Sequence, residues 1–153
     1  MYATLLRRTF YFDATLLRRT FVSQGGGWEK FMRGMKNAYA SKTGHVEKIV
    51  RKLGLADALK IIDGTETVDE DYILFIYTTG KGKTPKQVEE FLSHNKNIQA
   101  VVGSGSRSKS HVDTFNFAAD NIGKQYNVPV LARLDGTGTD EEIDLLKDAI
   151  ETL

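Results

Sequence analysis

The sequence predicts one α/β domain, a doubly wound parallel sheet of five strands with helices on both faces, and three observations predict it. Strand-like and helix-like patterns alternate from Met35 to the end of the chain. The run Tyr72-Ile73-Leu74-Phe75-Ile76-Tyr77 is apolar at every position, as a strand buried on both faces must be. Long polar loops bearing glycine follow the third and fourth strands, where open α/β sheets hold their ligands.

The elements follow in order. The first strand covers about Lys36–Ala40, and a helix from His45 to Leu53 carries Val46, Ile49, Val50 and Leu53 before stopping at Gly54. A short second strand, Leu59–Ile62, ends at Asp63-Gly64. The third strand is Tyr72–Tyr77, followed by a polar loop, Thr78–Thr84, with Pro85 in the favoured first turn of the next helix. That helix buries Val88, Phe91 and Leu92. The fourth strand is Ile98–Val102, and a second polar loop runs from Gly103 to Asp113. The third helix carries Phe115, Phe117, Ala118, Ile122 and Tyr126, and Val128–Ala132 is the fifth strand. The last helix, Asp140–Leu153, opens with Asp140, Glu141 and Glu142, which the helix dipole favours there.

Composition narrows the function. The 153 residues suffice for one domain with a real core. The absence of cysteine excludes disulfides, thiolate metal sites and Cys catalysis, so redox chemistry here requires a bound cofactor. Three scattered histidines, His45, His94 and His111, offer neither a metal site nor a nucleophilic triad. The formal charge of +1 divides unevenly: residues 1–34 hold six Lys/Arg against two Asp/Glu, and the remainder is mildly acidic. This is not the clustered basic face of a nucleic-acid binder, and no apolar run is long enough to span a membrane. Residues 1–34 differ from the rest. Ala3–Phe10 recurs letter for letter as Ala14–Phe21, and Gly25-Gly26-Gly27 follows as a flexible linker. The segment reads either as a basic targeting or interaction arm or as sequence outside the fold; the second reading is preferred, with Met35 a natural start.

The most informative motif is Ser41-Lys42-Thr43-Gly44-His45-Val46, a hydroxyl- and glycine-bearing loop between the first strand and its helix. Free N–H groups and the dipole at a helix start suit a phosphate, and Gly44 removes the Cβ that would hold it off. A plain helix cap explains the same letters, and neither a Walker loop nor G-x-G-x-x-G is present. With the strand order 2-1-3-4-5, the loops Ser41–His45, Thr78–Thr84 and Ser104–Asp113 meet at one rim of the sheet, where FMN is the expected mononucleotide.

Four segments together resemble the NrdI family, flavodoxin-like FMN proteins of class Ib ribonucleotide reductase systems. They are Ala40–Val46; Tyr77-Thr78-Thr79-Gly80 with Pro85 and Phe91-Leu92; Gly103-Ser104-Gly105-Ser106-Arg107; and Gln125–Val130 with Leu134-Asp135-Gly136-Thr137. His45 stands where the family often has Asn, and the third loop is longer than usual, with no aromatic residue before Phe115.

The resemblance implies FMN as cofactor. Ser41, Thr43 and the amides from Thr43 through Gly44 and His45 to Val46 would bind its phosphate, with Lys42 adding charge or remaining solvated. Thr78, Thr79 and Gly80 would lie against the flavin ring, where the Gly80 peptide can turn toward N5. Tyr77 would stack on the ring or face the core, and Ser104, Gly105 and Ser106 would meet the pyrimidine side through backbone amides. Lys81, Lys83, Arg107 and Lys109 would make the rim positive. The implied function is reduction of O2 to superoxide, which oxidises the dimanganese centre of a class Ib small subunit and leads to its tyrosyl radical. The implied setting is a cytoplasmic monomer supplied by a flavodoxin-type reductant. The alternatives are a general electron-transfer flavodoxin and a domain that uses the phosphate loop for another anion.

If residues 1–34 lie outside the fold, a chain shortened to begin at Met35 keeps its melting temperature and its FMN affinity. A loss of several degrees on shortening, read by differential scanning calorimetry, would show that the leader packs on the domain.

Overall fold

The structure, a computed structural model, describes residues 35–79, 82–106 and 114–153. The expected separation of residues 1–34 therefore concerns residues outside this set, as do the expectations for Gly80, Lys81, Arg107, Lys109 and His111. In chain order the elements are β1 (Lys36–Tyr39), α1 (His45–Lys52), β2 (Leu59–Lys60), β3 (Tyr72–Tyr77), α2 (Lys86–His94), β4 (Ile98–Gly105), α3 (Phe117–Tyr126), β5 (Val130–Asp135) and α4 (Asp140–Glu151).

The five strands form one parallel sheet in the order β2-β1-β3-β4-β5, as the sequence predicts. Strand residues alternate between two cores. Ala38, Tyr72, Leu74, Ile76 and Val101 pack with Val88, Phe91 and Leu92 of α2 and Ala118 and Ile122 of α3. Tyr39, Ile73, Phe75, Ala100, Val102 and Leu134 pack on the other face with Val46, Ile49 and Val50 of α1 and Ile143 and Leu146 of α4. β3 is central and covered on both sides, which is why its sequence never turns polar. Because α1 and α4 lie on one face and α2 and α3 on the other, the chain reverses its direction of travel between β1 and β3. That reversal opens a crevice at the carboxyl ends of the strands.

Several boundaries differ from the sequence reading. β4 runs three residues past Val102, because Gly103, Ser104 and Gly105 pair with β5 at Arg133, Leu134 and Asp135. β5 begins at Val130 and ends at Asp135, whereas the sequence places it at Val128–Ala132. Val128 instead closes the end of α3, its N–H donating to the Gly123 carbonyl at 3.0 Å, and Pro129 contributes only a carbonyl to Val101. β2 is shorter than expected because the Glu66 carboxylate takes the N–H of Ile62 at 2.7 Å and turns that residue outward. Pro85 is the N-cap of α2 rather than its first helical residue. α3 starts two residues beyond Phe115, after Asn116 adopts φ 57°. α4 has a complete capping box: Glu142 N–H donates to Thr139 Oγ1 at 3.2 Å, and Thr139 N–H donates to Glu142 Oε1 at 3.1 Å.

The segment between β2 and β3 has little apolar surface and is held by Asn95, the C-cap of α2, which is 3% exposed. Asn95 Nδ2 donates to the carbonyls of Glu66 at 2.9 Å and Phe91 at 2.8 Å, and Asn95 Oδ1 accepts from Val68 N–H at 2.8 Å. The buried Tyr72 hydroxyl donates to the Asn95 carbonyl at 2.6 Å, and its ring meets Phe91 edge-on with centroids 5.5 Å apart. Asn95→Ala leaves buried backbone groups without these side-chain partners, so unfolding free energy should fall by about 2–4 kcal/mol in a urea titration. An unchanged midpoint would show that the segment does not depend on this residue.

Candidate functional site

The crevice is built first from α1. Gly44, its N-cap, has φ 91° and ψ −4°, a conformation that brings the loop round to the helix start without a side chain. The first helical bond joins Lys48 N–H to the Gly44 carbonyl at 3.0 Å, so the N–H groups of His45 and Val46 have no acceptor within the helix. Glu47 N–H is taken by Ser41 Oγ at 3.3 Å. The Ser41 hydroxyl accepts this bond through one of its two lone pairs and can still donate its own proton at the cleft it lines. Thr43 Oγ1 stands 3.5 Å from His45 Nδ1; both side chains and Lys42 are exposed, while Val46 is buried. The loop thus presents hydroxyls, amides and one ammonium around an open space, which is what a dianion needs.

One acidic side chain belongs to the same turn. Glu47 Oε1 accepts from the Tyr39 hydroxyl at 3.3 Å and lies 3.6 Å from Lys60 Nζ and 3.9 Å from Arg51 Nη2. Burial first, then the Glu47 charge, pushes the Tyr39 phenol above its ordinary value, so it remains a donor to that carboxylate across the neutral range.

β3 delivers the second wall. Tyr77 is half-buried, packs against both cores and also borders the crevice, with its hydroxyl accepting from Gln87 Nε2 at 2.8 Å. Thr78 Oγ1 accepts from Ala118 N–H of α3 at 3.4 Å. Thr79 closes the loop on Lys83: its N–H and its hydroxyl both donate to the Lys83 carbonyl at 2.9 Å, and Lys83 N–H returns to the Thr79 carbonyl at 3.2 Å. Gly82, at φ 80°, lies so close to Phe117 that a Cβ would come within 2.8 Å of the ring.

The third wall is the end of β4. Ser104 is buried, its hydroxyl donating to the Gly136 carbonyl at 2.6 Å, and Gly136 N–H donates to the Gly105 carbonyl at 2.9 Å. Behind it sits Asn116, wholly buried, with Nδ2 donating to the Leu134 carbonyl at 3.2 Å and Oδ1 unpartnered. A Cβ on Gly103 would come within 2.5 Å of that Oδ1 and 2.8 Å of Ala119 Cβ, so the glycine admits α3 to the sheet.

The three walls enclose a cleft of about 340 Å³. Ser41, Lys42, Thr43, His45, Val46, Tyr77, Thr78, Thr79, Ser104, Gly105 and Ser106 all line it. Gly80, Lys81 and Arg107 lie outside the described residues, and of the expected cationic rim only the exposed Lys83 is described. Thr114, Asp135 and Gly136 also line the cleft and were missed as site residues, although Asp135-Gly136 falls inside a segment that carries the resemblance. His94 lies away from the cleft, with Nε2 2.9 Å from Glu90 Oε1 on the surface of α2. Among the described residues no group of His, Asp and Glu could hold a metal ion, and no helix is long and apolar enough to cross a membrane.

Known proteins resemble both the chain and the fold. The family profile described as "NrdI Flavodoxin like" matches residues 37–148. Protein NrdI of Bacillus licheniformis is 36% identical over 114 residues, 74% of this chain and 85% of that protein. Protein NrdI of Ruegeria sp. is 35% identical over 114 residues, 69% of this chain and 79% of that protein. Among solved structures, a flavodoxin of Streptococcus pneumonia TIGR4 superposes with a TM-score of 0.58 at 23% identity, over 78% of this chain and 96% of that one. Oxidised flavodoxin 2 of Bacillus cereus gives 0.56 at 22% identity, over 77% and 96%. These two structures bear on the fold.

Proposed function

The chain belongs to the NrdI flavodoxin-like family, and from that membership we propose that it is the FMN redox protein that activates the small subunit of a class Ib ribonucleotide reductase. FMN is its cofactor, and its link is to ribonucleotide reductase. Held in this cleft, reduced FMN would supply one-electron chemistry: one electron would go to O2, the flavin being oxidised by one electron, and the superoxide so formed would oxidise a dimanganese centre in the partner and lead to its tyrosyl radical. The observation that carries this reading is the family match over residues 37–148, joined to a cleft at the point where strand order reverses.

The residues present fit the group. A phosphate monoester needs donors without a competing side chain, and Ser41, Thr43, His45 N–H and Val46 N–H offer them around Gly44. A flat ring needs walls of backbone and small side chains, and Thr78, Thr79, Ser104, Gly105 and Ser106 supply them, with Tyr77 at the base. Gly80, Lys81 and Arg107 complete the proposed set from sequence alone. Lys42 lines the cleft and the exposed Lys83 lies in the loop after β3, so together they would bring positive charge to that end of the sheet, opposed by Asp135, and would draw an anionic oxidant and an acidic partner surface in a salt-dependent way. The source of electrons is a flavodoxin-type reductant. We place residues 1–34 outside the FMN-binding domain, which begins at Met35.

Two experiments test the reading. Gly44→Val adds a side chain where the phosphate approaches, and FMN affinity should fall roughly tenfold or more by fluorescence titration. Gly54→Val is the control, because it carries comparable left-handed strain at φ 72° in open space away from the cleft, and it should leave affinity unchanged. Equal affinities in the two variants would remove the phosphate site from the loop. For activation, the reduced protein is mixed with O2 and the manganese-loaded small subunit, and a tyrosyl radical signal is expected by electron paramagnetic resonance. A preparation that gives no radical while a chemical source of superoxide does would leave an electron-transfer flavodoxin as the better reading.

A further inference from the structure

Glu47 puts a negative charge in the first turn of the helix whose start is the proposed phosphate site. Glu47 occupies the third position of α1, in the same turn whose N–H groups face the phosphate, and its own N–H is bonded to Ser41 Oγ at 3.3 Å. A carboxylate in the first turn adds negative charge to the helix end that a phosphate would use, but this one is turned away from the cleft, into the groove that Tyr39, Val50, Arg51 and Gly54 also line. The fold answers this from the sheet. Tyr39 and Lys60 are register partners on neighbouring strands, so their side chains emerge side by side on the α1 face. Both reach the same carboxylate oxygen, the Tyr39 hydroxyl at 3.3 Å and Lys60 Nζ at 3.6 Å, with Arg51 at 3.9 Å from one turn further along.

We propose that Lys60 is a positioning residue for the cofactor's phosphate: with Tyr39 it holds the Glu47 carboxylate on the sheet side, outside the cleft, so that it does not turn toward a phosphate monoester at the loop. The inference rests on the FMN reading and adds to it a residue on β2 that does not border the cleft. Arg51 is a weaker substitute, because its side chain is 76% exposed and its contact is longer. Lys60 is 47% exposed and Glu47 is 32% exposed, so both can be changed on the surface without opening the core.

Because the interaction concerns the phosphate alone, riboflavin reports everything except it. Lys60→Met keeps the apolar stem and removes the charge. It should weaken FMN about three- to tenfold at low salt, with the effect shrinking as salt is raised. Riboflavin affinity should change less than about twofold, since that ligand carries no charge to be repelled. Glu47→Gln keeps an acceptor for Tyr39 but removes the repulsion, and should tighten FMN by roughly two- to fivefold. In the Glu47→Gln background, Lys60→Met should then lose most of its effect, the signature of action through Glu47. Three results would overturn the proposal: Lys60→Met weakening FMN and riboflavin alike, Glu47→Gln failing to tighten FMN, or an undiminished Lys60→Met effect in the double variant. The last would mean that Lys60 attracts the phosphate directly. Failure of the unaltered protein to bind FMN would overturn this inference together with the reading beneath it, whereas FMN binding without the phosphate-specific pattern would overturn this inference alone.

Discussion

The site depends on the burial of one strand. β3 presents apolar side chains to both faces of the sheet, with Tyr72, Leu74 and Ile76 on one side and Ile73 and Phe75 on the other. Water can be excluded from both only if helices cover both, so the connections after β1 and β5 must pass over one face and those after β3 and β4 over the other. A chain that divides its helices in this way must reverse its strand order once, and it does so between β1 and β3. The loops on either side of that reversal diverge and leave a gap at the strand ends. The cleft is therefore a consequence of covering Tyr72–Tyr77, and the residues around it are those that the loops happen to place at the gap.

What the sequence revealed, and what it concealed, follows from the same packing. β3 and the apolar faces of α1, α2 and α4 were legible because each buries a periodic set of large side chains. The loop proposed to hold the phosphate was legible because hydroxyls and a glycine between a strand and a helix form a local pattern. The end of β4 was not, because Gly103-Ser104-Gly105 has the composition of a loop. Its strand character comes from pairing with Arg133, Leu134 and Asp135, partners that only the folded sheet brings alongside. Its glycines serve approach rather than turning, since a Cβ at Gly103 would strike Asn116 and Ala119. Asn116 and Asn95 were missed for a related reason. Each is a polar residue buried by bonds to distant backbone, to Leu134 in one case and to Glu66 and Val68 in the other, and a polar letter in a sequence does not announce burial.

The second and third walls of the cleft are not independent. The N-terminal amide of α3 at Ala118 bonds to Thr78 Oγ1, and the Phe117 ring lies against Gly82. The same helix start, through Asn116, is fixed to Leu134 and packs on Gly103. A displacement of α3 would therefore be felt by the loop after β3 and by the end of β4 together. Close-packed interiors transmit such shifts because they lack voids to absorb them.

The phosphate end stands apart from that arrangement. The donors proposed for it lie in the loop after β1 and at the start of α1, and beside them Tyr39, Lys60 and Arg51 gather on Glu47; none of these touches α3 through the bonds described above. What joins it to the ring end is the sheet, by the pairing of β1 with β3. A mononucleotide cofactor has two chemically different ends, a charged monoester and a redox-active ring. A fold that builds their holders on separate elements over a rigid base can alter the ring's surroundings without loosening its hold on the phosphate.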